Sequence, residues 1–498
     1  MPIETIAPNS FEDGRSVFSI APYAFGETEV SAVANKSSQE VVHFGVHESL
    51  AQVEIPNSYK RNCKGYYEGK AYDLDGKEYT AKCEADFDYY YAELTTNNFD
   101  LSPEQKKYLG EELGLEQMNF KVFSRAPGEI GELKGRNVYV LIHGWTANHH
   151  IFSDIKKEND LTFVEEILAR DPDALVIGAD VNGFGETRFK KELLKDKTLK
   201  DKCTVEAGAA QVDFLLTEVL GLRHDFLEVT HSDGTIEHVE VGNQDVKILG
   251  HSMGGAIAKK LAQKGYKAVA CAPAAFPNSD DRKLLQDSMD FLPTNNRAPR
   301  ELRSAIYNAV GGSMGLAHKV EQMGPVGKWV STTSVNTVFG FIGPELMGTY
   351  VTGTDADREM LSGLNSIHVG ELPTGKRLLV KEAFLNLERG VESLRSPEDV
   401  LALRFYENLT IVSADEDRLV PEGDVITMLR TEYLRAKHAL DIAMLSNHGP
   451  SIELAIQAVD AVAEKCEDAL SGKNSVPGGH YASLFHKSVV DKLINELN

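Results

Sequence analysis

The stretch that most restricts what this chain can fold into runs from Val246 to Ala262, VKILGHSMGGAIAKKLA. An apolar run (Val246, Ile248, Leu249) ends in Gly250-His251-Ser252-Met253-Gly254-Gly255, and a helical pattern (Ala256, Ile257, Ala258, Leu261, Ala262) follows at once. The order is strand, very tight turn, helix, with a serine at the apex. Such a turn forces the serine into a strained backbone conformation and lifts its hydroxyl clear of both elements. Small residues must flank it, because Cβ atoms there would collide with strand and helix, and Gly250 and Gly254 fill those places. The new helix aims its first N–H groups at whatever sits over the serine, which suits a developing negative charge. The plainer alternative is a glycine-rich loop with an incidental serine. The strand before and the helix after it favour Ser252 as a nucleophile.

Composition bounds the partners. The chain has 498 residues, 42% of them hydrophobic, and a formal net charge of −23. That supports a large core, and the length implies more than one compact unit. The negative charge argues against nucleic acid and, on average, against an anionic membrane surface, although transient contact through a local patch stays open. The start, MPIETIAPNSFEDGRS, has no basic segment followed by an apolar one, so no signal peptide is expected. No uninterrupted apolar run has the length of a membrane span. Five scattered cysteines (Cys63, Cys83, Cys203, Cys271, Cys466) form neither a disulfide framework nor a metal cluster. A cytoplasmic, reducing location is the expectation, with export lacking a cleaved signal left open.

The N-terminal region, 1–130, reads as an extension or a small α+β domain. Two β-prone, tyrosine-rich runs meet at Leu74-Asp75-Gly76-Lys77, where Asp-Gly is a hairpin signal. The same residues lack the further ligands a calcium loop needs. Ser102-Pro103-Glu104-Gln105 has the form of a helix start.

From 131 to 276 the pattern alternates. Asn137–Ile142 and Ala174–Gly178 are continuous apolar strands of the kind buried in a parallel sheet, with helices expected at Phe163–Arg170 and Val205–Val219. A polar, hairpin-like stretch covers 228–245. This alternation implies a doubly wound, mostly parallel sheet with ligands at the C-terminal ends of its strands.

Three elements, HGWTANHH after one strand, GADVNGFGE after the next, and then GHSMGG, together resemble the α/β-hydrolase superfamily in order and approximate spacing. The resemblance covers roughly 137–276 and 405–498. It implies an α/β-hydrolase core with a large helical cap insertion and an N-terminal extension. It also implies that the backbone amides of Trp145 and Met253 form the oxyanion hole, where donors already aimed at a developing charge stabilise it by about 3–4 kcal/mol. His143 is expected to shape its loop rather than act as base. Gly183-Phe184-Gly185 lacks the Lys-Ser/Thr of a phosphate loop and reads as a tight turn.

After the strand Lys267–Ala272 the alternation stops until Leu409–Val412. The intervening 277–400 holds two glycine-rich apolar stretches, 306–317 and 335–351, with Phe339, Phe341, Met347 and Tyr350. The family resemblance places a cap here, with Phe339 and Phe341 as candidate residues for an acyl pocket; an ordinary helical core is the alternative. The second half of the core, 401–498, opens with the strand Leu409–Val412 and Ser413-Ala414-Asp415-Glu416-Asp417-Arg418-Leu419-Val420-Pro421, which resembles the family's acid loop. Position before Leu-Val-Pro favours Asp417 as the acid, with Asp415 next and Asp280 or Asp281 as further alternatives. Two helices, Val425–Leu445 and Ile452–Ala469, form an insertion over 425–470. His480 then follows Gly478-Gly479 just before a helix expected at Leu484–Leu497, which is the family's base position. His448 competes, being nearer Asp417 along the chain, but it lies in what reads as a helix–helix connection; His486 is expected inside the last helix.

The resulting expectation is a serine hydrolase acting on carboxylic esters with an apolar, lipid-like acyl group, through Ser252, His480 and Asp417. This chemistry needs no metal and no organic cofactor. Acyl transfer or thioester cleavage by the same triad, and a non-catalytic binding protein on the same fold, are the alternatives.

Overall fold

Strands that read as continuous apolar runs need burial on both faces, and the central sheet provides it. The computed structural model describes residues 54–55, 59–72, 78–129, 137–145, 147–193, 199–222, 224–230, 236–242, 246–274, 397–446 and 449–496. All of them fall in the unit Val46–Asn498. The sheet has 9 strands. In chain order they are β1 (Lys60–Tyr72), β2 (Glu78–Thr95), β3 (Asn119–Ser124), β4 (Val138–Ile142), β5 (Leu175–Ala179), β6 (Val246–His251), β7 (Lys267–Cys271), β8 (Leu409–Ala414) and β9 (Ser475–Val476).

Across the sheet the order is β9-β8-β7-β6-β4-β5-β3-β2-β1. From β9 to β5 all neighbours are parallel. β3 runs antiparallel to both β5 and β2, and β2 antiparallel to β1. The order reverses between β4 and β6: the chain leaves β4 toward β5 on one side, then returns to β6 on the other. In an open parallel sheet, the C-terminal ends of the strands flanking such a reversal border the ligand crevice. This arrangement, with helices on the sheet and its antiparallel strands at one side, is the α/β-hydrolase fold.

Alternation along the strands divides the core in two. Val138, Val140 and Ile142 of β4 face one apolar cluster together with Val246 and Ile248 of β6. Tyr139 and Leu141 of β4 face the other, with Leu249 of β6 and Val269 of β7. Helix α1 (Phe163–Arg170) starts where expected, with Thr162 accepting from Glu165 N–H and Glu165 accepting from Thr162 N–H. Ser102 and Gln105 cap the short helix Pro103–Lys107 in the same way. Helix α2 (Val205–Phe214) passes into a wider turn over Leu215–Val219. The polar stretch before β6 is an antiparallel hairpin, His224–Thr230 with Ile236–Gly242, separate from the central sheet.

The N-terminal tyrosine-rich runs are strands β1 and β2, which extend the central sheet; the residues between them, 73–77, lie outside the described ones. So do 275–396, which contain nearly all of the expected cap, including Phe339 and Phe341, and the alternative acids Asp280 and Asp281. After helix α3 (Met253–Ala262) and β8, helices α4 (Glu422–Ser446) and α5 (Gly449–Leu470) pack against each other over the two stretches expected to be helical.

The last helix departs from expectation. Leu484–Leu497 was expected to be continuous, but the chain makes a 3-10 turn at Ala482–Phe485, the short helix α6 (Lys487–Asp491) and a wider turn at Lys492–Glu496. His486 is extended (φ −66°, ψ 135°) and accepts the N–H of Ser488, so it caps α6 from outside instead of lying within a helix. A side chain that satisfies the first amides ends the preceding turn and starts the next helix.

Candidate active site

Ser252 sits between β6 and α3 with φ 55° and ψ −115°, a conformation that L side chains rarely adopt. Its own backbone is fully engaged: its N–H donates to the Cys271 carbonyl (3.0 Å), and its carbonyl accepts from Ala256 and Ala274. The flanking glycines are required. A Cβ on Gly250 would stand 1.9 Å from the Gly254 carbonyl oxygen, and one on Gly254 would stand 2.1 Å from the Ile142 oxygen. Met253 is the first residue of α3, so its amide is among those that a helix leaves without an intrahelical acceptor. The loop after β4 reaches the same place: a Cβ on Gly144 would lie 3.1 Å from the Ser252 Cβ. Trp145 follows it, half-buried against the core.

Asp417 and His480 come from the loops after β8 and β9 and meet at 2.7 Å, Asp417 Oδ2 to His480 Nδ1. Both side chains are fully buried. The other oxygen of Asp417 accepts the amides of Leu419 and Val420, each at 2.8 Å. A carboxylate can only accept, so Nδ1 carries the proton and Nε2 is left with its lone pair. That Nε2 is buried without a hydrogen-bond partner, and no hydrogen bond joins it to Ser252 among the described residues. Asp415 lies on the same loop but accepts the Gly478 amide instead, tying the acid loop to the histidine loop at 2.9 Å. His448 lies outside the described residues.

Two more histidines shape the site: His143 braces its loop, as expected, and His251 has a role the motif did not announce. His143 donates from Nδ1 to the Gly144 carbonyl (2.7 Å) and accepts the Val181 amide at Nε2 (3.1 Å), so it is neutral and occupied as a loop brace. His251, the residue before the serine, donates from Nε2 to the His480 carbonyl at 2.8 Å, and the two rings lie 4.9 Å apart. Burial, and then the neighbouring His480, push the His251 pKa down to about 3.

A second aspartate–histidine pair, Asp180 with His149, joins the loops after β5 and β4. Asp180 takes the N–H of His149 (2.9 Å) and its Nδ1 (3.0 Å) on one oxygen, and Asn119 and the Glu186 amide on the other. Burial alone would raise its carboxyl, but His149 and its hydrogen bonds hold it below the usual carboxylate range. Gly185, at φ 57°, has no room for a Cβ against that carboxylate. Asp180 thus pins the loop after β4 to the loop after β5. The motif GADVNGFGE contains Asp180 and HGWTANHH contains His149, but only the fold reveals which histidine Asp180 meets.

No family model matches this chain, and no curated protein matches it. Among solved structures it is similar to an esterase, E22, at 11% identity and a TM-score of 0.36, over 88% of this chain and 100% of that one. It is similar to the peroxisomal alpha-beta-hydrolase Lpx1 from Saccharomyces cerevisiae at 10% identity and a TM-score of 0.34, over 69% and 78%. Feruloyl esterase B from Aspergillus oryzae gives 12% identity and a TM-score of 0.27, over 77% of each chain. At TM-scores this low these likenesses carry none of the argument; the α/β-hydrolase fold rests on the sheet order and the turn at Ser252. Among the described residues no helix is long and apolar enough to cross a membrane.

Proposed function

We propose that this protein is a serine hydrolase that cleaves carboxylic esters through an acyl-enzyme on Ser252. The observation that carries the proposal is the fully buried Asp417–His480 contact of 2.7 Å, which leaves His480 Nε2 as an unpartnered base at the strand ends where Ser252 is held at φ 55°.

His480 takes the Ser252 proton on Nε2 as the hydroxyl oxygen attacks the ester carbonyl. Asp417 accepts from Nδ1 throughout and stabilises the imidazolium. The amides of Trp145 and Met253 receive the oxyanion. Collapse of the tetrahedral intermediate expels the alcohol with the proton from His480, and water then repeats the sequence in reverse order of roles. The apolar, lipid-like acyl group is supported by the composition of 306–317 and 335–351 alone.

The test is covalent labelling of the full chain with a fluorophosphonate probe, beside turnover of p-nitrophenyl esters. Ser252→Ala should abolish both while the protein stays folded. Undiminished ester turnover in folded Ser252→Ala would end the proposal.

A further inference from the structure

We infer that His251 is a positioning residue that sets the base against the nucleophile by hydrogen-bonding the backbone carbonyl of His480. The inference rests on the triad reading above and adds a residue that the triad does not contain.

Asp417 fixes the rotation of the His480 ring, because it holds Nδ1. It does not fix where the backbone of His480 stands relative to Ser252. Through the sheet, that register passes from β9 to β8 to β7 to β6, three inter-strand steps of about 4.8 Å each. His251 is a shorter link. It is peptide-bonded to Ser252, and its Nε2–H reaches the His480 carbonyl at 2.8 Å. Ser483 donates its hydroxyl to the same carbonyl at 3.1 Å, so that oxygen is held from two sides. The Tyr481 ring packs 5.3 Å from each of the two histidine rings and limits their tilt.

The tautomer follows from the acceptor. A carbonyl cannot donate, so Nε2 of His251 carries the proton and Nδ1 is bare. Nδ1 is buried without a hydrogen-bond partner, and a Cβ on Gly144 would come within 3.2 Å of it. One ring therefore touches the histidine loop, the serine turn and the loop that carries Trp145. Its neutrality matters to the chemistry: a second positive charge beside His480 would oppose formation of the imidazolium. Burial, His480 and His143 all act to keep His251 uncharged.

The experiment compares His251→Phe, which keeps a ring and loses the donor, with His251→Gln, whose side-chain amide can again donate to the carbonyl. Fluorophosphonate labelling rate, kcat and KM for p-nitrophenyl acetate are measured on the full chain. His251→Phe should lower kcat and labelling by about tenfold with KM nearly unchanged, as expected for one hydrogen bond lost, and His251→Gln should recover most of that loss. A folded His251→Phe that labels at the wild-type rate overturns the inference. So does equal loss in both variants, which would make the role one of packing. If His251→Phe does not fold, nitrogen-15 NMR of the unaltered protein decides: Nε2 should be the protonated nitrogen of a neutral ring, and a proton on Nδ1 instead overturns it. Failure of the triad itself is distinguishable, because it would appear as turnover surviving Ser252→Ala, before any His251 variant is read.

Discussion

Asp417 divides its two oxygens: Oδ2 meets Nδ1 of His480 at 2.7 Å, and Oδ1 takes the amides of Leu419 and Val420. The carboxylate is thereby fixed by the backbone before it fixes the histidine. Asp417→Asn keeps the shape but presents an N–H either to those amides or to Nδ1–H. The amides favour the carboxamide oxygen, which leaves the NH2 group facing the ring and drives the proton to Nε2, the wrong tautomer. Turnover should fall by roughly 10⁴-fold with folding intact. Stopped or steady-state assay with a p-nitrophenyl ester measures it, and a loss below tenfold would remove Asp417 from the mechanism.

The serine turn should tolerate no side chain at its flanks. Gly250→Ala and Gly254→Ala place a methyl about 2 Å from backbone carbonyl oxygens, which cannot move without shifting β4 or α3. Each should destabilise the fold by at least about 3 kcal/mol, the upper range for single substitutions that act through strain. Denaturant unfolding gives the value; a change under 1 kcal/mol would mean the turn is more open than described.

Much of this core was legible because parallel strands buried on both faces must be apolar throughout. β4 and β5 satisfy that, and β6, β7 and β8 are apolar at most positions, so each could be placed to within a residue or two. β3 does not. Its Asn119-Phe-Lys-Val-Phe-Ser124 carries Lys121 into the interior, where the ammonium lies 4.4 Å from the centre of the Tyr91 ring. No one-dimensional pattern supplies that ring. The same limit hid the histidines: Asp180 and His149 are 31 positions apart, and His251 meets His480 across 229. The loops of Asp417 and His480, which the structure brings together, could be singled out from their neighbours, Leu-Val-Pro after one and Gly-Gly before the other. The break at His486 was not, because a histidine cap resembles any helical residue.

Acid should weaken the fold through His251. Its pKa of about 3 in the folded protein stands against an ordinary 6.5. The unfolded chain therefore binds a proton in that interval that the folded chain refuses. The contribution is complete above 6.5 and is lost as pH falls toward 3. Replacement by glutamine should remove it, flattening the dependence of unfolding free energy on pH by up to about 1.4 kcal/mol per unit within that window. Identical slopes for the two proteins would show that His251 is not held neutral.

A buried ion pair fastens α4 to the helix behind the serine. Lys259 of α3 meets Glu432 of α4 at 2.5 Å, and Tyr406 donates to the same oxygen at 3.2 Å. Glu432→Ala leaves a buried ammonium unpaired and should cost about 3–5 kcal/mol, while the double change Lys259→Met with Glu432→Leu should cost far less. Thermal or denaturant unfolding of the two variants compares them. Equal losses would mean that α4 is held by packing and that the charges contribute little.

The bond between Asp415 and Gly478, together with the pairing of β8 and β9, has a consequence for how this chain can change. Asp417 and His480 are 63 positions apart, yet their loops are stitched to each other at the sheet edge, by Asp415 N–H to Val476 and Glu416 N–H to Gly478 as well. Whatever lies between is a detour that leaves and returns at one fixed doorway. Lengthening a flexible detour costs only about 0.6 kcal/mol per doubling. Helices α4 and α5 can therefore be exchanged or extended, provided Lys259 keeps its partner and the apolar contacts of Val425, Met428, Leu429 and Val462 with the core are kept, without moving His480 from Asp417. The number of residues between Asp417 and His480 is, at this edge, free to drift.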